Sequence, residues 1–94
     1  MADPLVRDNP EQTRMEIVVD GAVAGYVEYR GGPDVLDLRH TEIDSAYEGQ
    51  GLGGKLARGV LDAVRRADQK VIPTCPFIKG WIEKHEDYKD LVVG

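Results

Sequence analysis

Eight consecutive residues, Glu48-Gly49-Gln50-Gly51-Leu52-Gly53-Gly54-Lys55, have the composition of an anion site. Four of the eleven glycines fall within six residues, at 49, 51, 53 and 54. Glycines at that density let a backbone turn several N–H groups toward one point. The stretch runs directly into the one long helical pattern of the chain, so those groups stand at the positive end of a helix dipole, where a phosphate is the usual guest. Gly49, Gln50, Gly51, Leu52, Gly53 and Gly54 would supply the N–H donors, and Lys55 would add charge. A turn that only lets strand and helix pack closely would carry the same glycines, and a solvated helix face the same lysine.

Three further residues have reactive side chains close to that stretch in the chain order. His40 and Glu42 stand two apart near the end of a strand-like run, and either could take a proton directly or through a water. A histidine does so near neutral pH without much tuning. The blander alternatives are a partly buried histidine and a solvated edge carboxylate. Cys75 is the only cysteine. It precedes Pro76, a residue suited to the first turn of a helix, and a helix N-terminus lowers a thiol pKa and so favours a nucleophile. Cysteine is equally at home as a small buried residue lining a pocket. Phe77 and Trp81 read as core or pocket wall. Lys84 and His85 fit the negative end of the last helix, and Tyr88 reads as packing for the tail or as a hydrogen-bonding acid.

The elements that must position these groups follow from periodicity. Met15, Ile17 and Val19 alternate at strand period. Asp20-Gly21 then fits a two-residue hairpin whose central positions need positive φ. A second strand runs from Ala22 to about Arg30, and Gly25 within it marks a bulge or a close backbone approach. A third runs from Val35 to Ile43, with Leu36, Leu38, His40 and Glu42 sharing a face by alternation. From residue 52 to 68 the period becomes 3.6, and Arg58, Asp62 and Arg66 fall four apart, spaced to pair along the exposed face. Lys70 to Pro73 reads as a fourth strand, and residues 77–85 as a second helix. Residues 1–13 are polar, contain Pro4 and Pro10, and read as a loosely ordered leader. The order is β-β-β-α-β-α, a mixed α/β arrangement in a single domain over residues 1–94.

The chain has 94 residues and a formal net charge of −5. That acidity weighs against nucleic acid, whose partners carry a basic footprint, and fits a cationic partner such as an amine. One cysteine excludes an internal disulfide and suits a reducing compartment. No apolar run nears the roughly 18 residues of a membrane span, and the first residues lack a signal pattern. A cytoplasmic protein with no membrane partner, monomeric or weakly dimeric, is expected.

The ordered set of motifs resembles the GNAT superfamily of acyl-CoA N-acyltransferases, and more narrowly its small single-domain YjdJ-like acetyltransferases. Its segments are Asn9, Arg14-Met15-Glu16, the Asp20-Gly21 hairpin, His40-Thr41-Glu42, the glycine stretch, Pro73-Thr74-Cys75-Pro76-Phe77 and His85-Glu86-Asp87-Tyr88. The resemblance covers nearly the whole chain. It implies a minimal GNAT fold with a mixed, mostly antiparallel sheet and a long helix after the glycine-rich loop. It implies acetyl-CoA as cosubstrate, no metal, and transfer of an acetyl group to an amine. The glycine loop would hold the pyrophosphate. Ile43 would offer main-chain groups to the pantetheine arm and acyl carbonyl. Lys84 and His85 would meet the 3′-phosphate or adenine end, and Cys75 and Phe77 would line the acyl site. His40, Glu42 and Cys75 are the catalytic candidates. Glu48 stands where the superfamily has Arg or Gln, so the backbone would bind without that side chain. Trp81 stands where larger relatives have a general-acid Tyr, which leaves that role open. The first hairpin is too short for the helices that help form the acceptor site in larger members. An open site for a protein, peptide or polyamine amine follows. The alternative is a non-catalytic acyl-CoA-binding, sensing or interaction module.

Overall fold

A computed structural model describes residues 3–93. Its elements run β1 (Leu5–Asn9), β2 (Arg14–Val19), β3 (Ala22–Gly31), β4 (Val35–Ile43), a 3₁₀ turn (Ser45–Tyr47), α1 (Leu52–Arg66), β5 (Lys70–Pro73), α2 (Pro76–Glu83) and a second 3₁₀ segment (Glu86–Leu91). The five strands form one sheet in sequence order. The first four are antiparallel, and β5 joins β4 in parallel after the α1 crossover. The mixed, mostly antiparallel α/β fold is therefore the one the pattern implies, with one more strand at its edge.

That strand corrects the reading of residues 1–13 as a loose leader. Leu5–Asn9 pair along their whole length with β2, from Leu5 opposite Val18 to Asn9 opposite Arg14. Of the two apolar residues of β1, only Val6 turns toward the helices. It seats on α1 at Gly59, where an added Cβ would come within 2.8 Å of the Val6 Cβ. An edge strand with one inward apolar residue leaves little hydrophobic pattern to read.

Both helices cover the same face of the sheet. Met15, Ile17, Val27, Leu36 and Leu38 meet Leu56, Val60, Leu61 and Val64 of α1 and Ile78 and Ile82 of α2 in one buried cluster. Each large aliphatic side chain buried there contributes about 1.5–3 kcal/mol. The Asp20-Gly21 hairpin is present, with φ of 49° and 82° at its two residues, as a primed turn requires.

The other face of the sheet is bare of helices, and its registers line up two polar rows. Arg7, Glu16, Tyr26 and Glu42 stand opposite one another across β1 to β4, and Asn9, Arg14, Glu28 and His40 form the next row. The second row corrects the expected face of His40 and Glu42. Glu28 pairs with His40 but the next residue, Tyr29, pairs with Leu38. Arg39 is therefore an extra residue, a bulge that reverses the alternation in β4. Leu36 and Leu38 point to the core, while His40 and Glu42 point to the open face.

The basic stripe of α1 is also arranged differently from its spacing. Arg58 and Asp62 both bond the Tyr88 hydroxyl, at 3.1 and 2.6 Å, and Arg65 pairs with Asp90. The 3₁₀ segment after α2 draws these charges sideways instead of along the helix.

Candidate functional site

The glycine stretch forms an uncapped helix start. Gly49 and Gly51 have φ of 83° and 73°, a region open to glycine at little cost. Gly51 is the N-cap of α1, no side chain caps the helix, and its first turn holds no acidic residue. The first helical bond runs from Lys55 N to Gly51 O. The N–H groups of the preceding positions are thus left without partners inside the helix. Side chains of α2 close one side of this turn. An added Cβ on Gly53 would lie 3.1 Å from Phe77 Cζ, and one on Gly54 3.6 Å from Trp81 Nε1. Glycine at 53 is what lets Phe77 come this close, whereas a Cβ at 54 would make an ordinary contact.

The end of β4 leads into that turn with a free main-chain edge. β5 pairs only with residues 35–38, and Cys75 N closes the pairing on Leu38 O at 2.8 Å. On its other side, Asp44 N bonds Ala24 O at 2.8 Å. With Tyr26 opposite Glu42 and Val27 opposite Thr41, antiparallel alternation directs the peptide groups of Glu42 and Asp44 toward β3. Those of Thr41 and Ile43 are directed away from it, at the unpaired edge. The Ile43 side chain packs against the core. Gly25 makes this closeness possible, since a Cβ there would fall 2.5 Å from Ile43 Cδ1 and 2.7 Å from Glu42 O.

The reactive side chains sit on opposite faces of that edge. Glu42 lies on the open face with its side chain 59% exposed. It accepts a hydrogen bond from the Tyr26 hydroxyl at 2.7 Å and has His40 Nε2 at 3.6 Å. The Tyr26 bond, helped by His40 and only partly opposed by desolvation, holds the Glu42 carboxyl below its ordinary value. The same bond to Glu42 raises the Tyr26 phenol. Glu42 borders a cleft of about 630 Å³ whose wall includes Arg14, Tyr26, Asp44 and Glu48. Cys75, on the core side, is 4% exposed. It caps α2, and its Sγ is in hydrogen-bond contact with Thr41 Oγ1 at 3.3 Å.

The structure thus gathers Ile43, residues 49–55 and Phe77 around the start of α1, with Cys75 beneath β4 and Glu42 and His40 above it. Lys84 and His85 are farther away, at the opposite end of α2. His85 stacks on Trp81 with ring centroids 3.7 Å apart and has Nδ1 2.7 Å from the Trp81 carbonyl. Tyr88 is buried, and its hydroxyl is engaged by Asp62 and Arg58. Desolvation first, and Asp62 second, raise its phenol.

The sequence reading gives no site role to Tyr26, Arg14, Glu16 or Thr41, although Arg14, Glu16 and Thr41 fall in segments that carry the resemblance. Period-two polar residues in Arg14-Met15-Glu16 were the available signal for a functional outer face. Their cross-strand partners become visible only with the registers. Among the described residues no cluster of His, Cys, Asp or Glu is arranged to hold a metal, and no helix is long and apolar enough to cross a membrane.

A family model described as GCN5-related N-acetyl-transferase matches residues 14–91. Protein NATD1 of Gallus gallus is 37% identical over 54 residues, covering 57% of this chain and 49% of the relative. Protein NATD1 of Danio rerio is 36% identical over 64 residues, 66% of this chain and 58% of the relative. The chain thus spans about half the length of the curated relatives it matches. Among solved structures, a GCN5-like protein from Staphylococcus aureus superposes with a TM-score of 0.70 at 25% identity, covering 100% of this chain and 92% of that one. A ribosomal-protein-alanine N-acetyltransferase from Brucella melitensis biovar Abortus 2308 shares the fold at a TM-score of 0.57 and 16% identity, over 86% and 61% of the two chains.

Proposed function

The chain belongs to the GCN5-related N-acetyltransferase family, and from that membership we propose that it binds acetyl-CoA and transfers the acetyl group to an amine. The observation that carries this reading is the continuity of two unsatisfied backbone surfaces. The free edge of β4 at Thr41 and Ile43 leads into the uncapped start of α1. An extended thioester arm ending in a pyrophosphate complements both. The arm pairs with the strand edge as a further strand would, and the pyrophosphate accepts from the N–H groups of residues 49–54. Phe77 forms one wall. Lys55 reaches the phosphates from outside, and Lys84 and His85 meet the adenine end.

Glu42 is the general base in this scheme. It is ionised at neutral pH and opens onto the cleft on the bare sheet face. The neutral amine attacks the thioester carbonyl carbon, its proton passes to Glu42, and the C–S bond breaks to release CoA as thiolate, which takes a proton from solvent. His40 stands beside Glu42, with Nε2 3.6 Å from its carboxylate. The position of Cys75 under Thr41 also favours a second route. The Cys75 Sγ attacks the thioester carbonyl and its proton leaves with CoA as the free thiol. The amine then takes the acetyl group from the thioester so formed, and its proton returns to Sγ. With β1 in place, the connection between the first two strands is residues 10–13 and not the Asp20-Gly21 turn. It is still too short for added helices, which leaves the acceptor side open and suits a protein, peptide or polyamine amine.

The test starts with the melting temperature of the chain with and without CoA. At a hundred times the dissociation constant, CoA contributes about 2.7 kcal/mol, a rise of roughly 10 °C or more in a domain of this size. Mass analysis of the chain after incubation with acetyl-CoA then separates the routes. An acetyl increment on Cys75 marks the covalent one, and its absence during turnover marks direct transfer. No thermal shift at millimolar CoA would overturn the proposal.

A further inference from the structure

We infer that Tyr26, backed by Arg14 and the buried Glu16, is the residue that positions Glu42 for proton transfer. The inference rests on Glu42 being the base.

The geometry is a chain of fixed contacts across four strands. Glu16 is 1% exposed although it lies on the bare face, because its neighbours fold over it. Arg14 Nε donates to Oε2 at 2.8 Å, Asn9 Nδ2 to the same oxygen at 3.1 Å, and Arg7 Nε to Oε1 at 3.1 Å. A buried carboxylate with three donors fixes the groups around it as firmly as it is fixed. Arg14 is held in this way with its guanidinium carbon 4.5 Å from the centroid of the Tyr26 ring. Such a stack sets the ring plane and is favourable in itself. The ring then carries its hydroxyl to Glu42 Oε2 at 2.7 Å.

Without that bond, Glu42 would be an exposed carboxylate on a flexible stem, with several rotamers and His40 alone beside it. With it, one oxygen is occupied by the phenol and the carboxylate is turned so that the other remains for a proton. Tyr26 is unsuited to be the base itself, since its phenol is raised. Its use is to hold and ionise the neighbour. The groups facing Glu42 are Tyr26 and Glu28 from β3, Arg14 from β2, His40 from β4, and Asp44 and Glu48 across the cleft. Loss of the phenol removes the donor and leaves the acidic members of this set, so the carboxyl must rise.

The test is a carbon-detected NMR titration of the Glu42 carboxyl in the full chain, wild type against Tyr26→Phe. It needs no acceptor. Phenylalanine keeps the ring under Arg14 and removes only the hydroxyl. The expected result is a Glu42 titration displaced to higher pH, with an unchanged CoA-induced rise in melting temperature. In turnover, kcat should fall about tenfold through misplacement, and the acid limb of the kcat/KM profile should move up with the titration. Arg14→Lys, which keeps the charge but not the planar stack, should also lower kcat. Identical Glu42 titrations in wild type and Tyr26→Phe would overturn the inference while leaving Glu42 as base. Full activity in Glu42→Gln would overturn the base reading and this inference with it.

Discussion

Glu16 and Glu42 stand in one row of the sheet and are held in contrasting ways. Glu42 is exposed and meets the Tyr26 phenol and, more distantly, His40, both at one oxygen, which leaves the other open to a proton. Glu16 is enclosed by three donors and is structural. Burial raises its carboxyl, and the bonds from Asn9, Arg14 and Arg7 more than offset that, leaving it below the ordinary value of 4.5. A carboxyl lowered on folding stabilises the native state fully above its unfolded value, and the gain is lost as pH falls through the folded value. Glu16→Gln should therefore be less stable than wild type at pH 7 by about 1–3 kcal/mol. The difference should shrink below about pH 4.5, where the wild-type carboxyl takes up its proton. Melting temperatures of the two proteins from pH 3 to 8 check this. A constant gap across that range would mean that Glu16 does not titrate with folding.

At the scale of elements, β4 is the part on which the site depends, and two irregularities shape it. The bulge at Arg39 turns His40 and Glu42 outward, and Gly25 lets β3 lie close against Ile43 and Glu42. Gly25→Ala places a methyl 2.5 Å from Ile43 Cδ1, so neighbours must shift, at a cost of about 1–3 kcal/mol. A melting temperature lower by roughly 5–20 °C is expected, with weaker CoA binding because the β4 edge moves. An unchanged melting temperature would show that the approach is looser than described. Gly25 and the hairpin were legible in the sequence because glycine in a strand and Asp20-Gly21 each have few physical explanations. The glycine stretch before α1 was legible for the same reason. The bulge was not, because alternation assumes that every residue has a partner, and an extra residue leaves no mark on the composition. Glu16 as a buried anchor was equally hidden, since Arg7 and Asn9, which enclose it, lie in a strand whose polar residues read as a leader.

At the scale of the molecule, the sheet separates two surfaces. One is sealed by α1 and α2 and contains Cys75. The other is open, polar, and contains Glu42 and His40. The unpaired edge of β4 is where the two meet, and the start of α1 closes its end. Residues distant in sequence, 40–43, 49–55 and 75–77, come together there because β5 ends early and α2 turns back across the crossover helix. Direct transfer would use the open face and a cysteine route the sealed one, and a single assay tests whether either works. That assay is acetyl transfer itself, followed by mass spectrometry with saturating acetyl-CoA across polyamines, lysine and N-terminal peptides. The expected result is acetylated product from at least one amine above the protein-free background. In Glu42→Gln, which should still bind CoA, that product should fall about a hundredfold or more. Background thioester hydrolysis alone, from a wild-type chain that binds CoA, would contradict the account.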